Sequence, residues 1–304
     1  MNYLDLFSGC GGFRLGLQKA GVNPQYEFHS EIDKHADKVY AENYPQSENL
    51  GDVTKITTTD GTINGTNIDL VTFGFPCQDL SIAGKGAGLG GSRSGLFYEA
   101  TRLIRELKPE VFIFENVKGL FTSNAGKDFE AVLREIADIG LYECQWQLLN
   151  TRWVLPQNRE RIFFIGCLAG SSRSGRQVFP IAEPIQQDRQ AHKGAREKMG
   201  HSQCLTTRGP QSRQNADYTW IKTRPRGFNK GGVFKEYSPT LTSNSMQNNC
   251  YLNDLRALTP IEWERLQGFH DNWTEGVSDT QRYKMLGNAV TADMAMVIFD
   301  KLYN

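Results

Sequence analysis

The sequence predicts an α/β fold joined to a second, smaller domain made mostly of β-strands and loops. Short apolar runs such as those at 68–73 and 111–114 have the composition of strands buried on both faces. Amphipathic helical patterns at 96–107 and 128–139 alternate with them, which favours parallel strands with helices between. From residue 169 onwards Ser, Gly, Arg, Gln and Asn replace the apolar periodicity, which indicates a separate region.

The N-terminal segment has the pattern of a nucleoside-binding unit. A strand at 3–7 leads through the glycine turn 8–12 into a helix at 13–21, and a second strand ends at Glu31. Glu31 stands 19 residues after the turn, the distance at which such units place an acid on ribose hydroxyls. We therefore expect a nucleoside cofactor, and a tight turn with no ligand is the alternative.

Residues around this turn favour one cofactor over another. The dinucleotide fingerprint needs a third glycine where Arg14 stands, so a pyrophosphate is poorly accommodated. The acidic Asp5 before the turn suits a cationic or amino-bearing ligand better than a phosphate. Together these observations favour S-adenosylmethionine over NAD. Asp52 is positioned to accept a hydrogen bond from an adenine amino group, and a solvated loop aspartate is the alternative.

Cys77 is the candidate nucleophile. The apolar strand at 68–73 is followed by Gly74 and Pro76, which turn the chain and place the thiol at the carboxyl end of a strand, where open α/β sheets bind ligands. Half of the stretch 84–95 is glycine, and we interpret it as a loop that moves over the group that the thiol attacks. The alternative is a buried structural cysteine beside a flexible linker.

A carboxyl and an amide, Glu115 and Asn116, follow the next apolar strand, so we expect them at the same sheet edge as Cys77. Because apolar residues surround the carboxyl, it can keep its proton and act as a hydrogen-bond donor. Arg159 and Arg161 stand at the start of a later strand. We expect these arginines to diverge, one turning into the site and the other pairing elsewhere.

The net charge is zero, but the charges are unevenly distributed. Residues 1–150 hold 13 Lys and Arg against 20 Asp and Glu, while residues 151–304 hold 21 against 14. Most of the basic excess lies at 167–235, with 13 basic and 4 acidic residues, and a field of this sign suits a polyanion. We therefore predict a nucleic-acid partner, with a solvated surface as the alternative.

Other features argue against several classes of protein. The six cysteines are scattered, with no C-x-x-C pair, so we predict no metal site and no redox couple. No stretch approaches the roughly 18 apolar residues of a membrane span, and the first residues lack the pattern of a secretory signal. We expect a cytoplasmic, nucleoid-associated monomer without membrane contact.

Together, Cys77, Glu115 and Arg161 suit one reaction. Carbon 5 of cytosine is too weak a nucleophile to take a methyl group directly, but a thiolate added at carbon 6 makes the ring enamine-like. A donor at ring nitrogen 3 stabilises the negative charge that develops, and an arginine on the neighbouring carbonyl oxygen assists. With an S-adenosylmethionine site nearby, these residues favour cytosine-5 methylation.

Five ordered motifs carry a resemblance to a known family: DLFSGCGG at 5–12, PCQ at 76–78, ENV at 115–117, QNRER at 157–161 and GNAV at 287–290. On these motifs the chain closely resembles bacterial DNA cytosine-5 methyltransferases of the restriction-modification type. The resemblance covers roughly 1–168 and 256–304 and implies a Rossmann-like S-adenosylmethionine-dependent methyltransferase sheet. The implied domains are a catalytic and cofactor-binding domain at 1–175, completed by 280–304, and a DNA target-recognition domain at 176–279.

The resemblance also implies residue roles. In this family the glycine-rich segment closes over a cytosine flipped from the duplex, and the basic region reads the DNA sequence. The implied catalytic residues are Cys77 as nucleophile, Glu115 as donor to the ring nitrogen, Arg161 on the base, Arg159 as its support and Asn116 as the residue holding the Pro-Cys turn. The implied cofactor-binding residues are Phe7, Gly9, Gly11, Glu31, Ile32, Asp52, Val53, Pro76, Leu96, Asn288 and Ala289. The implied DNA contacts are Ser81, Lys85, Arg93, Arg208, Arg226 and Thr240.

One position departs from the family pattern, since Ile32 follows Glu31 where an aromatic residue usually stacks on adenine. We therefore expect weaker cofactor stacking. A tRNA cytosine-5 methyltransferase and a non-catalytic DNA-binding homologue are the alternatives. The basic region favours duplex DNA over the first, and the presence of Cys77, Glu115 and Arg161 argues against the second. A restriction endonuclease is the implied functional partner.

Overall fold

The structure of the protein is a computed structural model. It describes residues 1–75, 95–182 and 257–304, together with five short stretches at 219–222, 232–235, 237–238, 240–241 and 250–251. Cys77, the glycine-rich stretch after it and most of the basic region lie outside the described residues.

A seven-stranded sheet lies at the centre of the described chain. Its strands are Asn2–Leu6 (β1), Tyr26–Ser30 (β2), Glu48–Asn49 (β3), Leu70–Phe73 (β4), Val111–Val117 (β5), Tyr142–Asn150 (β6) and Glu160–Leu168 (β7). Their spatial order is β3-β2-β1-β4-β5-β7-β6. Every pair of neighbouring strands among β1 to β5 is parallel, whereas β7 is antiparallel to both β5 and β6. The predicted α/β fold is confirmed.

Helices cover both faces of this sheet. Those in the described chain are Gly12–Lys19 (α1), Lys34–Asn43 (α2), Gly95–Leu107 (α3), Lys127–Ile139 (α4), Pro260–Leu266 (α5), Asp279–Asn288 (α6) and Ala292–Tyr303 (α7). Leu70 of β4 packs with α1 and α7, while the next residue, Val71, packs with α3 and α4. This alternation explains why β4 is apolar throughout, because both of its faces are buried.

Close approach of α1 and α7 depends on Gly16. A Cβ atom at this position would lie 2.5 Å from the Cβ of Ala295. Since real Cβ atoms do not approach so closely, a larger side chain would push the two helices apart.

The antiparallel direction of β7 decides where its first residues lie. The pairing of β5 with β7 places Val117 opposite Arg161. The start of β7 therefore lies at the carboxyl end of β5, on the edge of the sheet where open α/β folds bind ligands. β5 itself extends through Val117, so Glu115 and Asn116 lie within the strand and not after it.

Residues of the C-terminal part pack onto the N-terminal unit. Thr259 caps α5 and Pro260 occupies its first position. Trp263 and Leu266 of α5 lie in one apolar cluster with Cys10 of the N-terminal turn. The domain boundaries at 175/176 and 279/280 stay predictions.

The region between β7 and α5 contains a second sheet. Its antiparallel strands, in the order β10-β8-β9, are Thr219–Lys222 (β8), Gly232–Lys235 (β9) and Cys250–Tyr251 (β10).

Among the helices that the structure describes, none has the length and apolar character that a membrane crossing requires.

Side chains of the edge strand β6 bind the segment that follows β7. The amide oxygen of Gln145 accepts hydrogen bonds from the backbone N–H groups of Val178 and Phe179, both at 3.0 Å. The Gln147 amide accepts from the N–H of Ile181 at 2.7 Å and donates to its carbonyl at 2.9 Å. The first residues of the predicted second domain are therefore fixed to the sheet by hydrogen bonds.

Candidate active site

A cleft of about 840 Å³ lies at the carboxyl ends of the parallel strands. Its walls come from the turn after β1, the ends of β2 and β5, the start of β7 and the C-terminal end of α6. The predicted site residues that line it are Phe7, Gly9, Glu31, Ile32, Asp52, Val53, Leu96, Glu115, Asn116, Arg159, Arg161, Asn288 and Ala289.

The turn between β1 and α1 needs glycine at specific positions. Gly9 and Gly11 have φ angles of 56° and 87°, the left-handed region, and Phe7 has a φ of 53° despite its side chain. A Cβ atom on Gly12 would lie 2.4 Å from the carbonyl oxygen of Val290. Gly11 lies against Tyr44 and is not part of the cleft wall. The turn and the segment after α6 therefore fit together only with a bare backbone at residue 12.

Backbone N–H groups hold the carboxylate of Glu31. Its Oε2 accepts from the N–H of Gly9 at 2.9 Å, and its Oε1 accepts from Ile32 and Asp33 at 2.8 and 2.7 Å. Hydrogen bonds to a carboxylate are charge-assisted, so they fix its position well. The side chain of Ile32, 79% exposed, presents an apolar surface beside this acid. A carboxylate can accept hydrogen bonds from ribose hydroxyls, and an apolar side chain beside it can contact a base. The two residues together therefore suit a nucleoside.

Asp5 is buried below the turn. The Thr72 hydroxyl donates to its Oδ1 at 2.7 Å, and the Tyr3 hydroxyl lies 2.5 Å from Thr72 Oγ1. Burial, offset in part by these hydrogen bonds, raises the pKa of Asp5 to about 8. Within the described chain, Asp5 Oδ2 and the Ser8 hydroxyl are buried without a hydrogen-bond partner, and both residues line the cleft. An amino-bearing ligand here would satisfy them, so these residues fit S-adenosylmethionine.

Asp52 also lines the cleft, before a short 3-10 helix at Val53–Lys55. Its Oδ1 accepts from the N–H of Thr54 at 3.0 Å and from the Thr54 hydroxyl at 2.8 Å. These hydrogen bonds lower the pKa of Asp52. The carboxylate is thus charged and available as an acceptor at neutral pH.

Sequence reasoning missed an ion pair that joins two walls of the cleft. Lys284 Nζ in α6 lies 2.6 Å from Oδ2 of Asp33, the residue that caps α2. Burial acts to raise the pKa of Asp33, but the hydrogen bonds from Lys284 and from the N–H of His35 outweigh it and lower the pKa. No sequence pattern indicates this pair, because it depends on how α6 docks.

Glu115 and Arg161 form an ion pair inside the cleft. Arg161 Nε lies 2.7 Å from Glu115 Oε1, and the side chains are 15% and 9% exposed. The pair joins β5 to β7 through the antiparallel register, although the two residues are far apart in sequence. A carboxyl and a guanidinium side by side can bind an acceptor and a neighbouring donor of a planar ring.

The chain leading to Cys77 passes this pair. A Cβ atom on Gly74 would lie 3.5 Å from Glu115 Oε2. The amide of Asn116 donates to the carbonyl of Phe75 at 3.3 Å, the last described residue before Pro76. The described part of the turn is therefore anchored beside Glu115.

Arg159 and Arg161 have different partners, as expected, but the expectation that only one of them turns toward the site is wrong. Alternate residues of an extended chain lie on the same face, and both arginines line the cleft. Arg161 pairs with Glu115, whereas the guanidinium of Arg159 donates to main-chain carbonyl oxygens.

The structure shows the contacts of Thr240 and Arg14, while other predicted site residues lie outside the described residues. Thr240, a predicted DNA contact, donates its hydroxyl proton to the carbonyl of Asn158 at 2.7 Å. Arg14 is buried, forms an ion pair with Glu27 and lies over the ring of Tyr44 with 4.5 Å between Cζ and the centroid. The predicted site residues outside the described residues are Pro76, Cys77, Ser81, Lys85, Arg93, Arg208 and Arg226.

The sheet and the cleft define the class of protein. An open sheet of five parallel strands, extended by the antiparallel strand β7 and the edge strand β6, with a glycine turn over a buried acid, is a Rossmann-like methyltransferase fold. The ion pair of Glu115 and Arg161 lies in the same cleft as this turn.

Comparison with known proteins narrows the class. The whole chain, residues 1–304, matches the family described as C-5 cytosine-specific DNA methylase. It is 34% identical over 311 residues to the Type II methyltransferase M1.ScrFI of Lactococcus lactis subsp. cremoris, covering 98% of this chain and 77% of that protein. It is 34% identical over 300 residues to the Type II methyltransferase M.NgoBI of Neisseria gonorrhoeae, covering 95% and 88%.

Solved structures share the fold. The Entamoeba histolytica methyltransferase EhMeth superposes with a TM-score of 0.67 at 17% identity, covering 100% of this chain and 98% of that one. The Dnmt2 methyltransferase of S. pombe superposes with a TM-score of 0.61 at 19% identity, covering 98% and 96%. The chain belongs to the C-5 cytosine-specific DNA methylase family, and it is a DNA (cytosine-5-)-methyltransferase.

Proposed function

We propose that the protein transfers a methyl group from S-adenosylmethionine to carbon 5 of a cytosine within a short, specific sequence of duplex DNA. The observation that carries this proposal is the Glu115–Arg161 pair at 2.7 Å, beside the turn that leads to Cys77 and in the same cleft as Glu31 and Asp5. The names of the relatives, bacterial Type II methyltransferases, support DNA as the substrate.

In the proposed reaction the sulfur of Cys77 bonds to carbon 6 of the ring. Glu115 holds a proton on ring nitrogen 3, which stabilises the negative charge that the addition creates. Arg161 contacts Glu115 through its Nε and donates from Nη1 to the carbonyl of Glu160, and a remaining N–H group of its guanidinium would bind the ring carbonyl. Carbon 5 then becomes nucleophilic enough to be methylated. Loss of the carbon 5 proton and release of the Cys77 thiolate restore the aromatic ring and the free enzyme.

Bound S-adenosylmethionine supplies an electrophilic methyl group on a positively charged sulfur. Glu31 would bind its ribose hydroxyls, Asp52 its adenine amino group and Ile32 one face of the adenine. Asp5 would accept from its ammonium group. The unpaired Oδ2 of Asp5 in the described chain and the exposed side chain of Ile32 support this arrangement.

A cytosine inside a duplex cannot reach this cleft, so we infer that the base is flipped out and that the stretch 84–95 closes over it. The basic excess at 167–235 supports DNA binding by the recognition region, with Arg208, Arg226 and Thr240 as candidate contacts. Ser81, Lys85 and Arg93 are candidate contacts from the closing segment. A monomer in the cytoplasm, associated with the nucleoid and paired with a restriction endonuclease, completes the proposal.

Bisulfite sequencing of DNA from cells expressing the chain tests the substrate, the methylated position and the target sequence together. We expect protected cytosines at one short sequence with the wild type and none with Cys77→Ala. Cys144→Ala is the matched control, because Cys144 is an exposed free cysteine on β6, outside the cleft. The purified wild type should be trapped covalently on duplex DNA with 5-fluorocytosine at that site. Methylation by Cys77→Ala at the wild-type rate would exclude the mechanism, and methylation of tRNA but not DNA would identify RNA as the substrate.

A further inference from the structure

One buried guanidinium joins segments that serve different parts of the proposed reaction. Arg159 is 2% exposed. Its Nη1 donates to the carbonyl oxygens of Leu241 at 3.1 Å and Gly287 at 3.2 Å, and its Nη2 donates to that of Ala289 at 2.9 Å. Leu241 belongs to the region between β7 and α5, where DNA recognition is proposed. Gly287 and Ala289 line the cleft beside the turn after β1.

The chain around Leu241 docks just before Arg159. The N–H of Ser238 donates to the carbonyl of Pro156 at 2.8 Å, and the N–H of Asn158 donates to the carbonyl of Ser238 at 2.8 Å. The Thr240 hydroxyl donates to the carbonyl of Asn158 at 2.7 Å. Leu241 is therefore held at the end of a short ladder of hydrogen bonds, with its own side chain buried.

The environment of Arg159 makes these bonds costly to break. In the part of the chain that the structure describes, main-chain carbonyls are the acceptors of its guanidinium, and no carboxylate forms an ion pair with it. Burial, and then the nearby charge of Arg161, lower the pKa of Arg159 to about 9. A buried cation that loses one carbonyl has no water to replace it, so movement of Leu241 must disturb the bonds to Gly287 and Ala289.

We propose that Arg159 is a positioning residue that couples DNA binding by the recognition region to cofactor binding at the segment containing Gly287 and Ala289. The inference rests on the proposed function. When DNA fixes the region around Leu241, the guanidinium is fixed with it and holds the cofactor segment in place. Linkage then requires that each ligand tighten the other by the same factor.

The test measures this factor directly on the full chain. Calorimetry gives the dissociation constant of S-adenosylhomocysteine with the free protein and with the protein saturated by a duplex carrying the site found by bisulfite sequencing. We expect DNA to tighten binding at least about 5-fold in the wild type. In Arg159→Met and Arg159→Lys we expect less than about 2-fold, because methionine donates no hydrogen bond and one ammonium cannot span the same carbonyls.

Arg173→Met is the matched control. Arg173 also binds a main-chain carbonyl, that of Leu302 at 3.0 Å, and lies over the ring of Tyr303, but it does not line the cleft. This variant should keep the wild-type factor. A variant with a damaged recognition region would bind DNA more weakly, but once saturated with DNA it would still bind S-adenosylhomocysteine more tightly by the wild-type factor. This factor therefore distinguishes a loss of coupling from a loss of DNA affinity.

The inference is overturned if DNA does not tighten S-adenosylhomocysteine binding in the wild type. It is also overturned if DNA tightens that binding in either Arg159 variant as much as in the wild type. If circular dichroism shows that both Arg159 variants fail to fold, Thr240→Val decides, since loss of the bond to Asn158 should lower the factor and an unchanged factor overturns the inference. If the wild type methylates DNA but DNA does not tighten S-adenosylhomocysteine binding, this inference fails and the proposed function stands. A wild type that methylates no DNA removes the proposed function and this inference with it.

Discussion

The two halves of the cleft hold their functional groups in different ways. In the half where we propose cofactor binding, here called the cofactor half, main-chain N–H groups of Gly9, Ile32 and Asp33 hold the Glu31 carboxylate. In the half where we propose cytosine binding, here called the base half, Glu115 and Arg161 form an ion pair between strands that are distant in sequence.

This difference determines what each half tolerates. A site held by main-chain groups depends on backbone conformation, so the damaging changes are those that move the backbone. A site held by paired side chains fails when either partner is removed, because the other charge is left buried and unpaired. The two halves should therefore respond to different kinds of substitution.

The largest expected effect lies in the base half. Glu115→Gln keeps the shape of the side chain but replaces the carboxyl with an amide, which cannot transfer a proton to ring nitrogen 3 and cannot form an ion pair with Arg161. We expect single-turnover methyl transfer to fall about 10²- to 10⁴-fold, the usual size of an acid–base contribution, with DNA affinity mostly kept. Glu130→Gln is the control, since Glu130 is exposed and pairs only with the adjacent turn of its helix at Arg134 in the described structure. Equal rates for Glu115→Gln and the wild type would remove Glu115 from its proposed role.

A pH-dependent effect is expected in the cofactor half. The unfolded chain releases the Asp5 proton near pH 4, whereas the folded chain keeps it to about pH 8, because burial raises the pKa. The folded state therefore binds one more proton between these values, and this group lowers stability as pH rises through that window.

Asp5→Asn removes this dependence, since the amide is always neutral. Relative to the wild type, its free energy of unfolding should rise by about 1.4 kcal/mol per pH unit between pH 5 and 8, roughly 4 kcal/mol in total, and then level off. Urea unfolding at several pH values measures the difference. A constant difference across the range would show that Asp5 titrates normally in the folded state.

A smaller effect tests the backbone of the cofactor half. In Gly12→Ala the added methyl would meet the carbonyl oxygen of Val290, which lies 2.4 Å from the ideal Cβ position. We expect a loss of about 2 kcal/mol in stability and weaker S-adenosylhomocysteine binding, measured by urea unfolding and calorimetry. Gly119→Ala is the control, because its Cβ would meet its nearest neighbour at an ordinary 3.6 Å. Similar losses in both variants would argue against a specific role for the close approach.

The elements of the sheet could be predicted from the sequence because burial determines their residue types. β4 and β5 are apolar since helices cover both faces, and Glu115 interrupts that pattern where the chain meets the cleft. Glu31 could be predicted from its spacing to the glycine turn, since the βα unit that sets this distance is local.

Contacts that depend on docking could not be predicted in this way. The direction of β7 leaves no mark on its own composition, yet it brings Arg161 to Glu115. Arg14 was a useful argument against a dinucleotide, but its partners Glu27 and Tyr44 come from other elements. The same holds for the contacts of Lys284 with Asp33 and of Arg159 with Leu241.

The hydrogen bonds from Gln145 and Gln147 to the segment around Ile181 have a consequence for the whole chain. Farther along the chain, Ser238 is bound by backbone hydrogen bonds to Pro156 and Asn158, which lie just before β7. Both attachments involve backbone groups of the segments that they hold, and both partners belong to the predicted catalytic domain at 1–175. Under the proposed function, the sequence between these attachment points could therefore be exchanged, and with it the DNA site that is read, while the chemistry stays the same.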